Sequence, residues 1–77
     1  MNRLQTLSLI EASMTRLNRK ADLRILSAWV VFGSHRDIAE LSERELDHEV
    51  KMALATMGNS SAEENEDLAR RYGLTKE

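Results

Sequence analysis

LRILSAWVVFG, residues 23–33, is the stretch that decides the fold. Eight of its first ten residues are apolar, and it contains the only tryptophan and the only phenylalanine of the chain. A helix that is apolar on nearly every side belongs in a protein core, whereas a membrane span needs roughly 20 such residues. Residues 23–32 are therefore predicted to be the buried centre of a small helical fold.

Upstream of this stretch, the sequence is typical of one long helix without a breaker. Asn2 and Gln5 have the spacing of a capping box, and apolar residues then recur at alternating spacings of three and four, as in a packed helix pair. We predict that the residues at this spacing form a contact seam: Leu7, Ile10, Met14, Leu17 and Ala21. Leu4 lies off the seam and is predicted to belong to the same interface with a partner or a second copy. The predicted helix covers about residues 3–32. The alternative is a break near residues 18–22, with Asp22 capping a second helix.

Downstream, Gly33 is expected to end the long helix as a left-handed cap, and a short helix is predicted over 35–41. Ser42 and Glu45 then form the clearest local signal of the chain, a second capping box. It predicts an amphipathic helix over 43–57, whose core face repeats at i, i+4, i+7 and i+8.

Gly58 is expected to stop this helix, and Ser61 with Glu64 predicts one more helix over 61–72. Its apolar face is thin, since acidic residues fill its first turns. The sequence thus predicts one domain, residues 1–77, with an all-α fold of four to five helices in a small bundle.

The small size of the chain bears on its oligomeric state. At 77 residues, a single core rarely supplies more than roughly 3–5 kcal/mol of net stability, and small domains often add disulfides, a metal or a second copy. The chain contains no cysteine, which favours a homodimer built on the seam. The alternative is a monomer in which residues 43–57 fold back over the seam.

Catalytic and metal-binding patterns are weak. Glu45 and His48 have the spacing found in di-iron bundles, but His48 falls opposite the predicted core face. The chain has no glycine-rich phosphate loop and no cysteine, and its serines occupy cap positions. We therefore expect no enzymatic activity, no metal site and no cofactor.

Two features bear on nucleic-acid binding. Residues 37–41 resemble the first helix of a helix-turn-helix over 35–57, but the second helix would present mostly acidic side chains, which DNA phosphates repel. Residues 1–33 contain five basic and two acidic side chains, against six and eleven in residues 34–77. A basic helix face is therefore the other candidate for nucleic acid or an acidic partner: Arg16, Arg19, Lys20 and Arg24.

Binding to another protein is the function that remains. We expect a homodimeric regulatory, accessory or inhibitory protein, such as a bacterial or phage accessory protein, with a protein partner. A DNA-binding regulator is the alternative. The first residues lack the pattern of a signal peptide, so a cytoplasmic location without membrane contact is expected.

Overall fold

The computed structural model describes residues 2–74, which form a bundle of helices without a strand. The elements are α1 (Arg3–Leu17), α2 (Leu23–Gly33), a 3₁₀ turn (Ile38–Glu40), α3 (Glu43–Asn59) and α4 (Ala62–Arg71). The predicted all-α bundle of four to five helices is confirmed. Among these helices, none combines the length and the apolar character that crossing a membrane requires.

The predicted single helix over 3–32 is wrong, and the alternative break at residues 18–22 is present. Asn18 adopts a left-handed conformation (φ 53°, ψ 45°), and the backbone N–H of Arg19 bonds to the Met14 carbonyl oxygen at 3.1 Å. The side chain of Asp22 then accepts hydrogen bonds from the backbone N–H groups of Arg24 and Ile25. Asparagine tolerates the left-handed region better than most residues, so Asn18 can end α1.

Burial of the apolar seam explains why the chain turns here. A continuous helix over 3–32 would be roughly 45 Å long, whereas the longest dimension of the folded chain is 30 Å. The turn brings α2 back along α1, so that Ile10 and Met14 pack against Leu26 and Val30 in one cluster. The turn thereby helps to remove the seam from water within one chain, which stabilises the fold.

α3 closes the main core. Its capping box is confirmed, since Ser42 accepts from the Glu45 backbone N–H and the Glu45 side chain accepts from the Ser42 backbone N–H. Its apolar face completes a cluster of nine buried residues. These are Ile10, Met14, Leu26, Val30, Ile38, Leu46, Val50, Ala53 and Leu54.

The connection between α2 and α3 differs from the prediction. Gly33 is the last residue of α2 and not a left-handed cap, because Ser34 caps the helix in an extended conformation (φ −81°, ψ 135°). The predicted helix over 35–41 is reduced to the 3₁₀ turn, which the Asp37 side chain caps. Too few residues remain there for more than one turn. Gly58 does not stop α3, which continues to Asn59.

α4 packs on a second, smaller cluster. Its start is confirmed by a third capping box, between Ser61 and Glu64, and Gly73 follows it with φ 67°. The buried members of this cluster are Ala28, Leu68, Ala69 and Leu74. Leu7, Ile25 and Trp29 pack against them from α1 and α2.

Candidate protein-interaction site

Most of the predicted seam is covered within the single chain. Ile10 and Met14 are buried in the main core, and Leu7, Leu17 and Ala21 are partly buried against the two clusters. Leu4, the predicted interface residue that lies off the seam, has 69 % of its surface exposed. The arrangement is the fold-back alternative, in which α2 and α3 occupy the positions that a second copy would have taken.

Half of the predicted basic face is engaged in ion pairs. Arg16 Nη2 lies 2.7 Å from Asp47 Oδ1, and Arg16 Nη1 lies 3.4 Å from Glu43 Oε2. Arg24 pairs with Asp22, which also caps α2. Of the four predicted cations, only Arg19 and Lys20 have no ion pair among residues 2–74.

Asp47 joins α1 to α3 in a partly buried polar network. Ser13, which is fully buried, donates to Asp47 Oδ1 at 2.5 Å, and the Arg16 guanidinium donates to both carboxylate oxygens. The hydrogen bond from Arg16, followed by that from Ser13, holds the pKa of Asp47 below its usual value. The same guanidinium also donates to Glu43 Oε2 at 3.4 Å, so the network joins α1 to α3 through one arginine, one buried serine and two carboxylates.

The predicted metal candidates remain at the surface. His48 is exposed on α3, as its position opposite the core face predicts. Glu45 caps the same helix and pairs with Arg36, and the bond from the Ser42 N–H, with that from Arg36, lowers the pKa of Glu45. Within residues 2–74, no three histidine, aspartate or glutamate side chains are grouped closely enough to hold a metal ion.

Ser27 is the one buried side chain in the described part whose polar atom has no hydrogen-bond partner. It lies on α2 with no exposed surface, between Leu26 and Ala28. No pocket is lined by its hydroxyl among the described cavities, so it marks a feature of the core and not a binding site.

The exposed apolar side chains are concentrated at one end of the molecule. Four large ones are exposed among the described residues: Leu4 (69 %), Phe32 (53 %), Met52 (56 %) and Tyr72 (40 %). Thr6 and Val31 line one pocket, so the start of α1 and the end of α2 lie together. The end of α4 joins them, because the Tyr72 and Phe32 rings are 6.4 Å apart. Met52 alone lies elsewhere, on α3.

Phe32 and Tyr72 form an exposed aromatic pair. Their rings meet edge to face at 72°, and Phe32 also meets Trp29 at 5.8 Å and 88°, an arrangement that aromatic quadrupoles favour. The prediction that residues 23–32 are buried throughout is therefore wrong for Phe32. Phe32 lies one turn beyond Ala28 on the face that α4 covers, and α4 ends too early to cover it.

The sequence analysis missed this pair because burial was assigned from apolar character alone. The thin apolar face of the last predicted helix could have indicated this exposure, because α4 is too short to cover the whole of α2. A second feature of this end is an open groove of about 530 Å³ between α1 and the 3₁₀ turn. It is lined by Leu4, Gln5, Ser8, Leu9, Asp37 and Ala39.

A scan against models of protein families finds no match, and neither a search of curated proteins nor a search of solved structures finds one.

Proposed function

We propose that this chain is a small, non-enzymatic module that binds another protein through the end carrying the Phe32–Tyr72 pair. One observation supports the proposal: two large aromatic side chains remain about half exposed while in contact with each other. Contiguous exposed apolar surface is a feature of protein interaction sites. Aromatic rings also supply much of the binding energy at protein interfaces.

Hydrogen bonds between α4 and its neighbours bring the two rings together. Trp29 Nε1 donates to Asn65 Oδ1 at 2.8 Å, and Asn65 Nδ2 donates to the Met57 carbonyl oxygen at 3.3 Å. These bonds tie α4 to α2 and α3 directly beside the rings. Because Phe32 also contacts Trp29, the bond from Trp29 to Asn65 helps to place Tyr72 of α4 beside Phe32 of α2.

A capture experiment with matched variants tests the proposal. Wild type, Phe32→Ser and Met52→Ser are immobilised and exposed to extract of the native host. Phe32 and Met52 have nearly equal exposure, so both variants are expected to remain folded, which circular dichroism checks. We expect a protein that wild type and Met52→Ser retain and Phe32→Ser loses. Identical retention by all three contradicts the proposal.

The regulatory or inhibitory role, the homodimer and the cytoplasmic location expected from the sequence remain parts of this proposal. A DNA-binding regulator is its alternative, supported by Arg19 and Lys20, which have no ion pair among residues 2–74. Fluorescence anisotropy with random duplex DNA at low salt separates the two, because phosphate contacts weaken steeply as salt rises. We expect no micromolar binding, since the exposed face of α3 contributes Glu43, Glu45 and Glu49.

A further inference from the structure

We propose that two copies of this chain exchange α4, so that residues 62–74 of each copy pack on α2 of the other. The second copy then supplies Tyr72 to the exposed pair with Phe32, and each aromatic pair is built from two chains. The inference goes beyond the proposed function, because it specifies how a homodimer forms and does not require another protein.

The packing partner of α4 is not its neighbour along the chain. In the second cluster, α4 and the residues that follow it pack against α1 and α2. The members from these two helices are Leu7, Ile25, Ala28 and Trp29. Among the described residues, α3 contributes no member, although only Ser60 and Ser61 separate it from α4. A surface that fits the α4 of its own chain fits the identical helix of a second copy through the same contacts.

The polar contacts of α4 can be transferred in the same way. Asn65 accepts a hydrogen bond from Trp29 Nε1 at 2.8 Å and donates one to the Met57 carbonyl oxygen at 3.3 Å. Both bonds form again when α4 comes from a second copy, because the receiving chain supplies Trp29 and Met57. Exchange therefore leaves none of these polar groups without its partner, as burial requires.

The connection between α3 and α4 is short, and no left-handed residue fixes its direction. α1 and α4 are each followed by a residue with positive φ, Asn18 and Gly73. In contrast, Ser60 (φ −98°, ψ 155°) and Ser61 (φ −71°, ψ 159°) are both extended. A short hinge favours exchange, because it restricts how a helix returns to its own chain.

Opening of α4 leaves the main core complete. α4 and the residues after it bury Leu68, Ala69 and Leu74, and none of these three belongs to the main cluster. A segment with few buried contacts opens at a lower free energy than the whole fold. Opening exposes Ala28 and its apolar neighbours, which the α4 of a second copy covers again. The exchanged dimer is therefore favoured as the protein concentration rises.

Cross-linking between two different chains tests the exchange, because the natural chain has no cysteine. One chain carries Phe32→Cys and the other Tyr72→Cys, and the two are unfolded together in urea and refolded at high concentration. The two rings are 6.4 Å apart where α4 packs on α2. A short bismaleimide should therefore join position 32 of one chain to position 72 of the other wherever α4 has been exchanged.

Met52→Cys in place of Phe32→Cys is the matched control, since Met52 and Phe32 are similarly exposed (56 % and 53 %). Mass spectrometry identifies the linked positions. We expect at least about fivefold more 32–72 than 52–72 linkage between chains, because docking raises the local concentration of the two thiols. Equal or absent linkage overturns the inference.

A longer hinge supplies the second test, measured by sedimentation equilibrium. Three glycines inserted between Ser60 and Ser61 let α4 return to its own α2, so we expect them to shift a wild-type dimer to monomer. The same insertion between Arg19 and Lys20, in the connection of α1 to α2, should leave the dimer intact. A wild type that is monomeric at high micromolar concentration contradicts the inference. So does a dimer that persists with the longer hinge, because two unexchanged copies would then associate through their surfaces.

The two proposals fail separately. Capture of another protein depends on the exposed Phe32, whereas exchange depends on the hinge at Ser60 and Ser61. A monomer that captures its partner through Phe32 refutes only the exchange, and an exchanged dimer that captures nothing refutes only the binding of another protein.

Discussion

α3 and α4 begin in the same way but are stabilised differently. Each starts with a serine whose side chain accepts from the backbone N–H of a glutamate three residues later, and each glutamate bonds back. α3 then buries Leu46, Val50, Ala53 and Leu54 in the main core, whereas α4 itself buries only Leu68 and Ala69. The local signal thus sets where a helix begins, and tertiary packing determines how firmly it is held.

The polar contacts that hold the two helices also differ in strength, and those of α3 are the stronger. α3 is joined to α1 by a carboxylate that accepts from both an arginine and a buried serine, and hydrogen bonds to charged groups are the stronger kind. α4 is joined to α2 by the neutral bond between Trp29 and Asn65. We therefore expect α4 to open locally before α1, α2 and α3 unfold.

The largest effect is expected for Leu46→Ala, which removes a buried side chain from the main core. Such changes cost about 2–5 kcal/mol, which is comparable to the whole net stability of a domain of this size. Urea unfolding followed by circular dichroism measures the loss, with Met52→Ala on the exposed side of α3 as the control. A loss below about 1 kcal/mol would show that the main core does not depend on α3.

A smaller and local effect is expected for Leu68→Ala. This change removes the largest apolar contact of α4 while leaving the main core complete. Amide hydrogen exchange should accelerate in α4 by about tenfold or more, with little change in α3. Equal acceleration in both helices would mean that the molecule unfolds as one unit, and the contrast between the two helices would then be wrong.

Acid should weaken the tie between α1 and α3. Because the pKa of Asp47 is lower in the folded chain than in the unfolded one, its carboxylate stabilises the fold above the unfolded pKa of about 3.9. That contribution is lost as the pH falls through the lower, folded pKa. In urea titrations at a series of pH values, Asp47→Asn should reduce the acid-induced loss of stability.

The lowered pKa of Glu45 acts in the same sense, so part of the acid dependence should remain in Asp47→Asn. The double variant with Glu45→Gln should lose more of it. An acid profile of Asp47→Asn that matches wild type would show that the hydrogen bonds from Arg16 and Ser13 do not stabilise the charged form.

The smallest effects are expected for the two serine caps. Ser42→Ala and Ser61→Ala remove equivalent hydrogen bonds, one at the start of α3 and one at the start of α4. Each change should reduce the stability of its own helix by about 1 kcal/mol. Ser42→Ala should lower the free energy of global unfolding, because α3 is part of the main core. Ser61→Ala should appear only as faster exchange at the start of α4. A global effect of Ser61→Ala would place α4 in the same cooperative unit.

The sequence predicts the helix starts well because their signals are local. Asn2, Ser42 and Ser61 each cap a helix through residues within one turn, and all three are confirmed. The sequence signal for a break at Asn18 is weak. The break is explained by tertiary packing, because it allows Ile10 and Met14 to be buried against α2. Only the folded arrangement shows that α2 packs along these residues.

The candidate site was predicted less well than the fold. The sequence identifies Leu4 and the apolar character of Phe32, but exposure depends on where a neighbouring helix ends. Tyr72 follows the end of α4, so the cover over α2 stops there and Phe32 remains accessible. The basic face illustrates the same limit, because Arg16 finds its partner Asp47 at a distance of 31 residues along the chain.

Ser27 is a position at which a substitution is expected to stabilise the fold. The buried hydroxyl of Ser27 has no hydrogen-bond partner within residues 2–74, so the free energy lost when it leaves water on folding is not recovered. Ser27→Ala removes this hydroxyl with only a small loss of side-chain volume. We therefore expect Ser27→Ala to raise the free energy of unfolding, as such stabilising changes are common in proteins under selection only to stay folded. Alanine at this position would provide an engineered background in which destabilising changes to the binding surface could be studied in a folded protein.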